Sequence, residues 1–126
     1  MQTAYIKKIH STERTNLERA RACHAAAMAK KAEDVIILDV RDISSITDYF
    51  VIMSGRSTRH VQALADAIEH ELRNKRLKAG NTEGLGEGLW VVLDYDDVVI
   101  HIFYHELRPF YNLEGLWHDA PRVKIT

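Results

Sequence analysis

Between residues 59 and 73, Val61, Leu64, Ala65, Ile68 and Leu72 fall at positions i, i+3, i+4, i+7 and i+11, with Arg59, Gln62, Asp66, Glu69 and Arg73 set opposite them. Spacings of three and four place the first set on one stripe, which predicts an amphipathic helix with one buried face. Ser57 stands where an N-cap side chain is needed. Arg73, Lys75 and Arg76 make the last turn basic, as the helix dipole favours. Four runs rich in β-branched and aromatic residues, 35–38, 49–53, 90–93 and 98–103, predict strands. The run Val35-Ile36-Ile37-Leu38 is apolar on both faces, which predicts a central strand covered by helices. Asp94-Tyr95-Asp96-Asp97 is short enough only for a hairpin. A short strand is expected within residues 78–83, before a loop holding Gly84, Gly86 and Gly88. Upstream, Thr15-Asn16-Leu17-Glu18 has capping-box spacing and predicts a first helix opening near Thr15. Leu17, Ala20, Ala27 and Met28 share a face of it, a light cover because alanine buries little area. The order α-β-β-α-β-β-β with a short helical tail predicts an α/β chain of α+β type: one domain, 15–126, with a mixed sheet flanked by helices and an extension, 1–14.

Length and composition narrow this further. A chain of 126 residues, 46% of them hydrophobic, holds one core and needs no staples. No apolar run approaches the ~20 residues of a membrane span, so no membrane partner is expected. Cys23 is the single cysteine, which excludes an internal disulfide and points to a reducing compartment. The net charge of −1 conceals two opposed segments. Residues 1–31 carry seven bases against two acids, a local +5. Residues 79–121 carry eight acids against Arg108 alone, a local −7. The basic start resembles an organellar transit peptide in charge, but its acids and helical pattern argue against removal, and no secretory signal is visible. The acidic half repels bare nucleic acid and attracts a basic protein surface; a solvated face with no partner gives the same composition.

The candidate chemistry is thin. His101 and His105 are four apart, but on a strand and just past it they do not converge on a metal. His101 alternates with Ile100 and Ile102 and shares a face with Val99 and Phe103, which predicts a hydrogen-bonded structural histidine rather than a general base. Cys23 on an alanine-rich helix reads as a small buried residue. Asp94 with Asp96 at a strand end has the donor type for magnesium, and the turn Ser54-Gly55-Arg56-Ser57 opens a helix as phosphate-binding turns do. Together they suggest a magnesium-dependent nucleotidyltransferase-like enzyme. Against it, acidic hairpin turns arise for conformational reasons alone, and one glycine makes no phosphate loop. Arg73, Lys75, Arg76 and Lys78 suffice for weak, salt-sensitive RNA contact, as in an accessory factor of ribosome assembly. Trp90 falls on the strand face of Val92 and Asp94, the mark of a docking surface or of a core position. The tail from Pro109 to Trp117 is rich in aromatics and suits a cap on the core or a swap onto a second subunit.

The ordered motifs are similar to those of the Iojap family, the ribosomal silencing factors. They are Ala32-Glu33-Asp34-Val35-Ile36-Ile37-Leu38-Asp39-Val40, Asp48-Tyr49-Phe50-Val51-Ile52 with Ser54-Gly55 and Ser57, and Glu83-Gly84 with Gly88 and Trp90. Leu93-Asp94-Tyr95, Asp97-Val98-Val99-Ile100-His101-Ile102-Phe103, Arg108, Phe110-Tyr111, Leu113-Glu114, Leu116-Trp117 and Asp119-Ala120-Pro121 continue the match. It spans about residues 15–123. The resemblance implies a nucleotidyltransferase-like core without catalysis or cofactor. It implies a cytoplasmic (alternatively organellar-matrix) translational repressor, commonly a homodimer. Such a protein binds the large ribosomal subunit through large-subunit protein fourteen and blocks joining of the small subunit when nutrients are scarce. On this chain the implied protein-docking residues are Trp90, Asp94, Tyr95, Asp96, Asp97 and Glu83. Two departures stand out. Asp96 occupies a hairpin position where the family often has glycine. A Gly-Ser followed closely by alternating carboxylates, the nucleotidyltransferase signature, is missing.

Overall fold

The computed structural model describes residues 2–124, with side chains over 15–124. In chain order it comprises α1 (Gln2–Ala29), β1 (Glu33–Asp39), β2 (Tyr49–Gly55), α2 (Thr58–Asn74), β3 (Asn81–Glu83), β4 (Trp90–Asp94) and β5 (Val98–Tyr104). The short helices α3 (Arg108–Tyr111) and α4 (Leu113–Leu116) close it. The strands form one mixed sheet in the order β1-β2-β5-β4-β3, with β2 and β5 parallel and the other pairs antiparallel. This is the α+β, single-domain arrangement that the hydrophobic pattern predicts.

The two sides of the sheet are covered by different material. Val51, Met53, Val91, Leu93, Ile100 and Ile102 point to the side of α1 and α2, where they meet Val61, Leu64, Ala65, Ile68 and Leu72 in the main core. The helix stripe is thus the buried stripe. Ser57 caps α2 as expected, its Oγ accepting from the His60 N–H at 3.0 Å. Helix α1 contributes Ala20, Cys23 and Ala27, all fully buried. On the other side a smaller cluster joins Leu38, Val40, Ile52, Phe103 and Ala120, with Ile36, Phe50, Trp90, Leu113 and Trp117 packed against it. Here the aromatic tail caps the core.

Three expectations need correction. Helix α1 runs through Thr15 instead of opening there, since no glycine or proline interrupts the residues before it. Asn16 is buried within the helix and its Nδ2 donates to Asp48 Oδ2 at 3.0 Å, so this stretch serves a tertiary contact rather than a cap. The expected 1–14 extension has no side chains among those described. Met28 is 52% exposed, because the buried stripe of α1 is centred on Ala20, Cys23 and Ala27. Finally, β1 lies at the edge of the sheet. Its apolar residues are covered on one face by α1 and on the other by the tail. Along its free edge the Asp39 N–H donates to Pro121 O and the Val123 N–H to Ile37 O, both at 2.8 Å. A strand apolar on both faces reports two covered faces, not two neighbouring strands.

The candidate docking face and its aromatic cluster

Strand register determines which side chains share a face. Trp90, Val92 and Asp94 pair with Phe103, His101 and Val99 across β4 and β5. Phe50, Ile52 and Ser54 pair with Val99, His101 and Phe103 across β2 and β5. Asn81 and Glu83 pair with Asp94 and Val92 across β3 and β4. All of these point away from α1 and α2. The tail covers the β1–β2 half of this face, and its Tyr111 reaches over Phe103 to the Trp90 ring. On the β5–β4–β3 half, Val92, Asp94, Val99 and Trp90 remain partly accessible, and Asn81 and Glu83 are exposed. That half is a short apolar strip with carboxylates along its outer edge.

Glycine geometry brings Trp90 to this place. Gly84 has φ +82°, and a Cβ there would lie 2.0 Å from the Trp90 carbonyl oxygen. Gly88 has φ +67°, with the Thr58 carbonyl oxygen 2.6 Å from an added Cβ. Only glycine allows both the left-handed backbone and the close approach. The indole then settles among rings: Phe103 at 5.0 Å between centroids, Tyr111 at 4.6 Å and His101 at 6.0 Å. Its Nε1–H donates to His101 Nδ1 at 3.1 Å. Phe50 meets His101 edge-on at 5.5 Å and Trp117 at 5.2 Å. Burial among these rings pushes the His101 imidazole down to about 4, partly offset by the nearby Asp94 charge. His101 is therefore neutral near pH 7 and hydrogen-bonded, as its position in the strand predicts.

The hairpin residues divide between the two sides of the sheet. Asp94 Oδ1 accepts from the Asp96 N–H at 2.9 Å, closing the turn. Asp96 is exposed at φ +64°, a conformation Asp tolerates better than most side chains. Asp97 is partly buried, and its carbonyl accepts from the Asp48 and Tyr49 N–H groups. Tyr95 goes the other way and packs against the main core. It lines a small cleft with Glu69, Arg73, Leu77 and Lys78, where burial and the Glu69 charge push its phenol up to about 12. Trp90, Asp94 and Glu83 thus share the open face, Asp96 and Asp97 stand at its end, and Tyr95 does not join them.

The bases Arg73, Lys75, Arg76 and Lys78 are all exposed at the end of α2, on the helix side. Lys75 lies 3.8 Å from Glu71. The groups weighed for phosphate and metal chemistry have other work. Ser57 caps α2, and Ser54 Oγ accepts from Arg108 Nη1 at 3.0 Å. Arg108 also donates to the Asp34 carbonyl and to Glu114, which ties the tail to the sheet. Among the described residues no three of His, Cys, Asp and Glu group as a metal site, and no helix is long and apolar enough to cross a membrane. The strand pattern located Trp90 and oriented His101, but not the wider cluster. Phe50, Tyr111 and Trp117 meet only through the sheet order and the folding back of the tail.

Comparison with known proteins points to one family. A family profile described as "Ribosomal silencing factor during starvation" matches residues 13–126. The chain is 43% identical over 101 residues to Ribosomal silencing factor RsfS of Bacillus subtilis, covering 80% of this chain and 86% of that protein. A crystal structure of a Chromobacterium violaceum protein superimposes with a TM-score of 0.79 at 30% identity, over 81% of this chain and 85% of that one. The mouse protein named "Mitochondrial assembly of ribosomal large subunit protein 1" is 33% identical over 91 residues, which is 70% of this chain but 40% of that protein.

Proposed function

Since the chain belongs to the ribosomal silencing factor family, we propose that it represses translation by docking on the large ribosomal subunit through the open half of its sheet. The observation that carries this reading is the composition of that half-face. Trp90 stands partly accessible beside Val92 and Val99, and Glu83, Asp94, Asp96 and Asp97 lie along its margin and end. An aromatic anchor within an acidic rim suits a basic protein. Large-subunit protein fourteen is the partner we assign to it. Inhibition then needs no chemistry and no cofactor, because a body of 14.5 kDa on the joining face is an obstacle. The carboxylates that would hold magnesium in an enzyme serve here as turn cap and rim. The reading includes a homodimer in the free state, for which Phe110 and Leu116, 80% and 73% exposed, supply apolar surface. It acts wherever ribosomes assemble, in the cytoplasm or an organellar matrix.

Co-sedimentation tests the docking surface. Wild-type protein should pellet with purified large subunits and not with small ones. Trp90→Ala and Glu83→Lys should each stay in the supernatant. Pelleting of both variants at the wild-type level would place the contact elsewhere.

One observation favours a supplementary role for RNA. The four exposed bases follow one another closely at the end of α2, and Arg73 and Lys78 line one cleft with Tyr95. Such a run of bases contributes a salt-dependent increment to ribosome affinity by releasing counterions. Reversing Arg73 and Arg76 to Glu should flatten the salt dependence of subunit binding without abolishing it.

A further inference from the structure

The docking reading assigns Trp90 a role but leaves His101, its hydrogen-bond partner, as scaffold. We infer that His101 is a working part of that surface. It positions the Trp90 indole through Nδ1 and presents its own Nε2–H to an oxygen of the bound partner, most simply a main-chain carbonyl. The inference rests on the docking reading above.

The chemistry follows from the indole. A tryptophan Nε1 is a donor and never an acceptor. The contact at 3.1 Å therefore requires an unprotonated His101 Nδ1. A neutral imidazole with a bare Nδ1 must carry its one proton on Nε2, so Trp90 selects the tautomer. Turning the ring over would put Cδ2 where Nδ1 stands and break this bond, and Phe50 and Phe103 flank the ring at 5.5 Å and 6.4 Å. Among the described residues nothing accepts the Nε2 proton. Yet Thr47 Oγ1 is, among the described residues, the one fully buried polar side-chain atom without a partner, so Nε2 keeps some contact with the surface although the ring is mostly buried. It is a donor of fixed orientation at the edge of a mostly buried ring, in the register row of Val92 and Ile52. A donor already held in place loses little freedom when it binds, which favours affinity and discriminates against a surface lacking an acceptor there.

Two measurements test this. Long-range nitrogen–proton NMR of the imidazoles in free wild-type protein should show His101 as a single Nε2–H tautomer between pH 6 and 8. Trp90→Phe should release it into a mixture. Titrated against purified large subunits, His101→Phe keeps the aromatic packing but removes both hydrogen bonds, and should bind about ten-fold more weakly. His101→Gln, which retains an acceptor and a donor, should recover most of the loss. An Nδ1–H tautomer in the wild type overturns the inference, and that spectrum needs no variant to fold. Wild-type affinity in His101→Phe, where Trp90→Ala has lost binding, overturns it alone. Wild-type affinity in both variants overturns the docking surface as well.

Discussion

Acidification is a perturbation whose effect can be worked out from a single side chain. His101 titrates near 4 in the folded protein because burial among Phe50, Trp90 and Phe103 disfavours the imidazolium, while an unfolded histidine titrates at 6.5. Between those values the unfolded chain binds a proton that the native protein refuses, so stability must rise with pH across the window and level off above it. The full difference corresponds to roughly 3 kcal/mol, most of it already lost on going from pH 7.5 to pH 4.5. His24, also lowered by burial, adds in the same direction. The carboxyls of Glu33 and Asp39, held down by Arg56 and Arg41, begin to lose their stabilising ionisation as pH falls through the ordinary carboxylate values, a loss at the acid end that wild type and a His101 variant share. The His101 share is isolated by difference. Urea unfolding of wild type and His101→Phe at both pH values should show the variant less sensitive to acid by about 2 kcal/mol. Equal sensitivity in the two proteins would refute the assignment of a buried, neutral His101.

Other expectations concern the parts that place the site. Gly84→Ala forces a Cβ against the Trp90 carbonyl oxygen at φ +82° and should destabilise by more than ~1 kcal/mol, read as a fall in the thermal midpoint. Ser57→Ala removes the α2 cap and should cost about 1 kcal/mol in urea unfolding, with Ser57→Asp close to wild type. The Cys23 thiol, fully buried and pushed up to about 12, should resist a thiol reagent at pH 8 and react at once in denaturant. Rapid native labelling would contradict its burial.

The elements with a strict period were the most legible ones. The α2 stripe from Val61 to Leu72 is the buried stripe, and alternation along β4 and β5 placed Trp90 opposite Leu93 and His101 opposite Ile100. Where the pattern misled, a local signal was outweighed by material distant in the chain. Thr15 has a capping box but sits inside a continuous helix, and β1 looks central because α1 and the tail cover its two faces. Tyr95 follows Asp94 directly, so the alternation that puts Asp94 beside Trp90 carries Tyr95 to the helix side with Val91 and Leu93; the resemblance grouped it with the docking residues because a motif carries no strand face. The hydrogen bond between Trp90 and His101 joins residues on adjacent strands and depends on a register that the sequence does not state.

The central claim is that this molecule keeps ribosomal subunits apart by occupying one of them. Purified large and small subunits, mixed with increasing amounts of the protein and resolved on a sucrose gradient, address it directly. Joined particles should disappear in favour of free subunits, with the protein migrating only in the large-subunit peak, and Trp90→Ala should leave the joined peak intact. Undiminished joining with the protein bound at saturation would contradict the account.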